Sequence, residues 1–137
     1  VTVVPGGGQN YCDAGINSDG ERCTLSLLGT SSVSGDDIEL VATGVSSLST
    51  VGLFVMGDTQ AATPFGSGTL CVDPGGEFFR LNPVEFYTDQ DVVSRTLQLT
   101  TWPGMSIQPG ETWNFQFVYR DAGTVNLSDG LSVSFQP

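Results

Sequence analysis

The residue types that carry most protein chemistry are missing from this chain. It has no histidine and no lysine among its 137 residues. Without histidine there is no Ser-His-Asp or Cys-His arrangement and no imidazole ligand for a metal. Without lysine there is no Schiff base and no Ser-Lys pair. The composition therefore predicts a protein that is not an enzyme, with paired carboxylates as the one catalytic arrangement still open.

Two pairs of aspartates are candidates for that arrangement, because a glycosidase needs only two carboxylates. They are Asp36 with Asp37, and Asp89 with Asp91. Each pair falls in a predicted turn, where aspartate is favoured because its side chain bonds to nearby backbone groups. We interpret both pairs as turn residues and predict no catalytic residue.

A cation is the other ligand that oxygen-bearing side chains alone could hold. Asn17, Asp19 and Glu21 resemble the middle of a helix-loop-helix calcium loop. The match ends there, since Gly15 and Ser26 stand at its first and last ligand positions. We expect no cofactor and no metal, with calcium at this loop as the alternative to an ordinary Asp-Gly turn.

Several aromatic residues lie outside the clearly alternating stretches and could form a glycan-binding strip. They are Phe78, Phe79, Phe86, Tyr87 and Trp102. The interpretation that we favour is that they fill the open ends of a β-sandwich. Asn126-Leu127-Ser128 also matches an N-glycosylation sequon, a pattern short enough to arise by chance.

Residues 111–121 must form the element around which the chain is organised. Trp113, Phe115, Phe117 and Tyr119 alternate with polar or β-branched residues. Successive side chains of a strand point to opposite faces, so four aromatics would line one face of a sheet. Each large ring buries on the order of 150–250 Å². This strand is therefore predicted to seed the core.

About eight strands are predicted in all, and no window has a helical period. The clearest lie at residues 23–28, 37–43, 51–56, 69–72, 92–101, 111–121 and 130–135. Residues 58–68 are predicted to be a loop with a short edge segment, and 77–87 an edge strand or covering loop. Arg95 shares the apolar parity of its strand, so we expect it near a sheet edge or a carboxylate. The pattern predicts one all-β domain at 9–137, an antiparallel β-sandwich of immunoglobulin-like or jelly-roll-like type.

The first eight residues form a separate segment. Val1, Thr2, Val3 and Val4 are a short β-prone run, which we call the N-terminal strand, and Pro5 with three glycines makes a flexible tether. One interpretation is a loose terminus. The other is an assembly strand that pairs with the sheet edge of a neighbouring copy, which predicts a homo-oligomer.

Charge and cysteine content narrow the setting. The net charge is −11, from 15 acidic residues against four arginines. Such a chain is not expected to bind nucleic acid or an anionic membrane surface, and no apolar run is long enough to insert into a membrane. Its three cysteines favour export, so we predict a secreted or cell-surface protein. Three cysteines allow three single-bridge pairings and always leave one thiol.

Several motifs together resemble a block found in secreted bacterial proteins of planctomycete type. They are Tyr11-Cys12, Asn17-Ser18, Gly68-Thr69-Leu70-Cys71, Pro109-Gly110-Glu111-Thr112-Trp113-Asn114-Phe115-Gln116, Tyr119-Arg120-Asp121 and Ser128-Asp129-Gly130-Leu131. The resemblance covers residues 10 to 136 and implies no activity. It implies a disulfide between Cys12 and Cys71, with Cys23 left over and either buried or bonded to another subunit. A Cys12–Cys23 bridge is the alternative.

The leading functional hypothesis is a non-enzymatic extracellular structural protein. It would assemble with copies of itself at the cell surface, as a filament built by donation of the N-terminal strand. The alternative is a secreted glycan-binding module, and an enzyme with two carboxylates comes third.

Overall fold

The fold is built from strands alone in the part of the chain that the structure describes. That structure is a computed structural model, and it describes residues 8–35, 38–81, 83–88, 92–97 and 107–137. Its strands are β1 (Gln9–Tyr11), β2 (Thr24–Leu28), β3 (Glu39–Thr43), β4 (Val51–Gly57), β5 (Gln60–Phe65), β6 (Gly68–Val72), β7 (Phe78–Arg80), β8 (Glu85–Phe86), β9 (Val92–Thr96), β10 (Thr112–Asp121), β11 (Thr124–Leu127) and β12 (Gly130–Ser134). The described residues include no helix that is long and apolar enough to cross a membrane.

Two antiparallel sheets enclose the main core. The larger has seven strands in the order β1-β12-β10-β4-β7, with β11 also paired to β10 and β8 to β4. The smaller has the order β2-β3-β9. One continuous apolar cluster joins residues from both sheets, as in a β-sandwich. The predicted all-β sandwich is confirmed, with twelve strands where about eight were expected.

The aromatic strand β10 lies at the centre of the large sheet. Trp113, Phe115, Phe117 and Tyr119 are all buried and belong to the main core, as their alternation predicts. Leu25 and Leu27 of β2 come from the opposing sheet and are equally buried. The alternating aromatics of β10 and the alternating leucines of β2 belong to one core cluster, so the apolar faces of the two sheets are turned towards each other.

A third layer covers part of the outer face of the large sheet. It is the β5–β6 hairpin, which lies over the face of β10 that carries Asn114 and Gln116. There Gln116 is fully buried, and its Oε1 accepts a hydrogen bond from the Cys71 N–H at 2.9 Å. Its Nε2 donates to the carbonyls of Thr69 at 2.8 Å and Ser128 at 2.7 Å. Gln116 thus joins the hairpin to the sheet by satisfying backbone groups that burial would otherwise leave unpaired.

The disulfide joins this hairpin to the start of the domain. Cys12 follows β1 and is bonded to Cys71 of β6, as the family resemblance implied. The Tyr11 hydroxyl donates to the Cys71 carbonyl at 2.8 Å, so the side chain next to the bridge reinforces the same contact. Cys23 is the free thiol and is buried.

The additional strands are short or depend on a partner for their conformation. β11 pairs only with β10, through a tight turn in which Ala122 and Gly123 both have positive φ. β5 lies where a loop with a brief edge segment was predicted, and five of its six residues are exposed. Short exposed strands of this kind have little apolar alternation, because their hydrogen bonds and not their side chains hold them in place.

Candidate functional site: an open strand edge

The outer edge of β9 presents backbone groups that have no neighbouring strand among the described residues. Leu97 donates its N–H to the carbonyl of Ile38 at 3.0 Å, so these two residues form a hydrogen-bonded pair. In an antiparallel ladder such pairs alternate with pairs whose N–H and C=O groups point away. By the register of β3 and β9, the outward-pointing groups belong to Val92, Ser94 and Thr96.

The side chains along β9 suit an edge that faces solvent on one side and the core on the other. Val92, Ser94 and Thr96 are exposed, and Val93 and Leu97 are buried in the core. An edge strand with this pattern is a template to which another strand can add.

The outer edge of β2 is capped by side chains at Leu25. Asp129 Oδ1 accepts a hydrogen bond from the Leu25 N–H at 2.8 Å, and Asn10 Nδ2 donates to the Leu25 carbonyl at 2.7 Å. Asn10 Nδ2 also lies 3.0 Å from Asp129 Oδ2, so the two side chains form one cap. Burial raises the pKa of Asp129, and the hydrogen bonds from Leu25 and Asn10 oppose that rise only in part. An incoming strand would have to displace this cap.

The edges of β5 and β11 are also protected. Pro64 lies within β5 and has no N–H to offer, and a register irregularity between Gln60 and Thr63 interrupts the same strand. On β11, the Val125 carbonyl accepts a hydrogen bond from the Ser67 N–H and the Leu127 carbonyl accepts one from Gly15. Proline, bulges and covering loops are the usual means of preventing strand addition.

The remaining edges are too short to serve as a template. β1 and β7 have three residues each and β8 has two. Pro83 lies in the gap between β7 and β8. On β6 the Gln116 side chain binds the Cys71 N–H and the Thr69 carbonyl, so within the described residues β9 is the one five-residue edge that carries no blocking feature.

A cleft of about 520 Å³ lies at the start of β9. It is lined by Thr50, Phe86, Tyr87, Thr88 and Val92. Phe86 is 80 % exposed, which is unusual for so large an apolar side chain. The Tyr87 hydroxyl is hydrogen-bonded to the Ser49 hydroxyl, and burial raises the pKa of Tyr87 to about 12, so that it stays neutral near pH 7. The cleft can receive an apolar side chain, and none of its described lining residues is charged.

Arg95 lies between the two sheets on this side of the sandwich. Its Nη1 is 3.7 Å from Oε1 of Glu85 and 3.1 Å from the carbonyl of Pro83. The expectation that Arg95 would lie near a sheet edge or a carboxylate is confirmed. Because Arg95 belongs to β9 and Glu85 to β8, the ion pair links the small sheet to the large one beside the open edge.

The candidate calcium loop is held by protein donors. Asn17 Oδ1 accepts hydrogen bonds from the backbone N–H groups of Asp19 and Glu21, at 3.0 and 3.1 Å. Both carboxylate oxygens of Asp19 accept hydrogen bonds from Ser47 at 2.7 Å. The structure brings no group of three or more histidine, cysteine or acidic residues together as a metal site within its described ranges. The hydrogen bonds account for the loop as an Asx turn, and calcium there remains untested.

Of the residues considered for a glycan-binding strip, Phe86 and Tyr87 line the same cleft beside β9. Phe79 packs against Trp113, and Tyr87 packs on Phe117 in the core. Trp102 lies outside the described residues. Asn126 of the sequon is fully buried and donates to the Ile16 carbonyl, so the folded domain does not present it for glycosylation.

Other predicted site residues lie outside the described part of the chain. They are the N-terminal strand (Val1, Thr2, Val3 and Val4) and the carboxylate pairs Asp36 with Asp37 and Asp89 with Asp91. The open edge itself was not predicted. Strand order decides which strand is an edge, and a single sequence does not contain that order, although Pro64 could have been recognised as a blocking residue.

The chain matches no protein-family model, no curated protein and no solved structure. The resemblance to planctomycete-type secreted proteins therefore stays a prediction, and the functional argument depends on the geometry of β9.

Proposed function

We propose that this protein is a non-enzymatic extracellular structural subunit that assembles with copies of itself by strand donation. The N-terminal strand of one copy would pair with the outer edge of β9 in the next copy. The observation that carries the proposal is the contrast between edges. Among the described residues no strand pairs with the outer edge of β9 over its five residues, and the other described edges are capped, covered, interrupted or short.

The lengths of the two partners agree to within one residue, with five residues in β9 and four in the N-terminal strand. The outward-pointing groups of Val92, Ser94 and Thr96 span four residue steps, or about 13 Å at about 3.3 Å per residue. The N-terminal strand has four residues before Pro5, and proline cannot donate to a ladder. A four-residue strand spans three residue steps, or about 10 Å, so it would cover most of the β9 edge and then stop.

Donor and acceptor are different surfaces, so each copy can donate and accept at once. Such head-to-tail contacts make an open filament when the rotation between copies does not close a ring. An extracellular setting is supported by the Cys12–Cys71 disulfide, since such bonds persist in oxidising compartments. A non-enzymatic role is supported by the absence of histidine and lysine. Tyr87 is partly buried against Phe117 of the core, which weakens the glycan-binding alternative, and we do not propose it.

The proposal is tested by closing the β9 edge with one substitution. Ser94→Pro removes an outward-pointing N–H and no hydrogen bond to β3. Ser94→Ala is the matched control, because it removes the same hydroxyl and keeps the N–H. Light scattering of both variants should show filaments for Ser94→Ala and monomers for Ser94→Pro.

Folding of the two variants is compared separately, by thermal unfolding in chains that lack residues 1–8. Similar melting temperatures there would assign the difference in assembly to the edge. If Ser94→Pro assembles as well as Ser94→Ala, β9 is not the acceptor.

A further inference from the structure

The tether of residues 5–8 limits the distance between a copy that donates its N-terminal strand and the copy that accepts it. Residues 5–8 connect the N-terminal strand to β1, and four residues span at most about 14 Å. If the N-terminal strand pairs with β9 of a neighbour, the body of the donor must lie against the surface beside that edge. The inference below rests on the proposed function in this respect.

The surface beside β9 is apolar. We define the Phe86 patch as the half of the outer face of the large sheet that no described segment covers, consisting of Val51, Leu53, Val84, Phe86, Val118 and Val125. All but Phe86 line a cleft of about 310 Å³ there. Phe86 is paired directly with Val51, and together with Val92 of β9 it lines the cleft of about 520 Å³. The patch is therefore continuous with the open edge.

The β5–β6 hairpin covers the other half of the same face. There it buries Asn114 and Gln116, while Leu53 and Val118 on the uncovered half stay partly exposed. A partly exposed apolar surface with polar residues at its rim is typical of a contact site between proteins.

The positively charged side chain of Arg120 lies at the rim of the Phe86 patch. Arg120 is exposed, lines the same cleft, and forms no ion pair with any residue of the described ranges. Each copy of the chain carries 15 acidic residues and four arginines. An acidic surface of a second copy would complement Arg120, which fits an occupant with the same sequence.

We infer that the Phe86 patch is a second contact between neighbouring copies, covered by the body of the copy that donates its strand. The donated strand provides the backbone hydrogen bonds, and the patch adds apolar burial beside them. Assembly should then depend on Phe86 although Phe86 makes no contact with β9 through backbone pairing.

The test compares two exposed phenylalanines. Phe86→Ala removes the ring from the patch, and Phe65→Ala removes a ring that is 47 % exposed on the β5–β6 hairpin. The concentration at which half the chains are assembled is measured by light scattering over a dilution series. Phe86→Ala should raise it about tenfold or more, as expected for a ring near the centre of an interface, and Phe65→Ala should leave it unchanged.

A second variant tests the charge. Arg120→Glu should raise the same concentration, whereas Arg80→Glu, an exposed arginine of β7 outside the patch, should have a smaller effect. If Phe86→Ala and Phe65→Ala both assemble like the unaltered chain, and removal of residues 1–8 still abolishes assembly, this inference alone is overturned. If the unaltered chain does not assemble, or assembles equally without residues 1–8, the proposed function and this inference are both overturned.

Discussion

The ring of Phe117 occupies the space that a side chain on Gly52 would need. Gly52 lies in β4 directly opposite Tyr119 of β10, and Phe117 lies opposite Phe54. The Phe117 ring is stacked 5.8 Å from Tyr119 and tilted 4.5 Å from Phe54, measured between ring centroids. A glycine near the start of β4 is thus covered on its core side by an aromatic ring from the neighbouring strand, which leaves no room there for a larger side chain.

Gly52→Ala should therefore destabilise the domain. The new methyl group would displace a ring that has no exposed surface, and overpacking of this kind costs about 1–3 kcal/mol. Urea denaturation of the two proteins would measure the difference. Gly75→Ala, in an exposed turn, should change the free energy of unfolding by less than about 0.5 kcal/mol. Equal stabilities for all three proteins would show that the Phe117 ring moves aside freely.

Gln116→Leu should be among the most damaging single substitutions in the domain. It leaves the buried N–H of Cys71 and the carbonyls of Thr69 and Ser128 without their side-chain partner. Each unsatisfied buried group costs about 1–3 kcal/mol, so a loss of several kcal/mol is expected. Gln136→Leu, at an exposed position, is the control for the change of residue type. A small effect at position 116 would mean that the hairpin moves to let water replace the amide.

Replacing Cys12 and Cys71 together with serine should lower the stability of the domain. The bridge closes a loop with a sequence separation of 59, for which chain entropy predicts a loss of about 4 kcal/mol. Chemical denaturation of the double variant would measure it. Thiol alkylation gives an independent check, because the native chain should react slowly and the unfolded, unreduced chain should take up one label at the buried Cys23. Three labels without reduction would contradict the bridge.

Two aspartates should give opposite pH dependences of stability. Burial acts to raise the pKa of Asp121, but hydrogen bonds from Ser18, Ser46 and Asn126 outweigh it and leave the pKa below its ordinary value. Its stabilising effect is then present above the unfolded pKa and lost as pH falls through the folded one. The destabilisation by Asp121→Asn should therefore shrink as pH falls from about 7 to about 2.

Asp129 has the reverse sign, since burial raises its pKa. Its contribution is present below the unfolded pKa and is lost as pH rises through the folded one. The stability of the unaltered chain relative to Asp129→Asn should therefore decline as pH rises over the same range. Thermal unfolding at several pH values measures both variants, and parallel pH profiles would contradict these opposite shifts.

The alternating strands of the core could be predicted from the sequence because their side chains are sorted by one strong difference in environment. The aromatics of β10 face the opposing sheet, and Leu25 and Leu27 meet them from β2. The burial of Gln116 could not be predicted from this alternation. Gln116 lies on the face of β10 with polar side chains, which predicts exposure to solvent. The β5–β6 hairpin covers that face instead, and backbone groups satisfy the hydrogen bonds of the Gln116 amide.

The candidate site could not be predicted in the same way. Whether a strand is an edge depends on which strands neighbour it in space, and β9 pairs with β3 across about fifty residues of chain. The features that close the other edges were visible only in part. Pro64 is a recognisable blocking residue, but the Asn10–Asp129 cap on Leu25 joins three distant segments and has no local signature.

Strand donation is tested most directly by the mass distribution in solution of the full chain and of a chain lacking residues 1–8. Light scattering should show large, concentration-dependent species for the full chain and monomers for the shortened one. A synthetic peptide of residues 1–7 should bind the shortened chain and bind its Ser94→Pro variant much more weakly. If the full and shortened chains are both monomeric, or assemble to the same extent, the N-terminal strand does not build the assembly and the account is wrong.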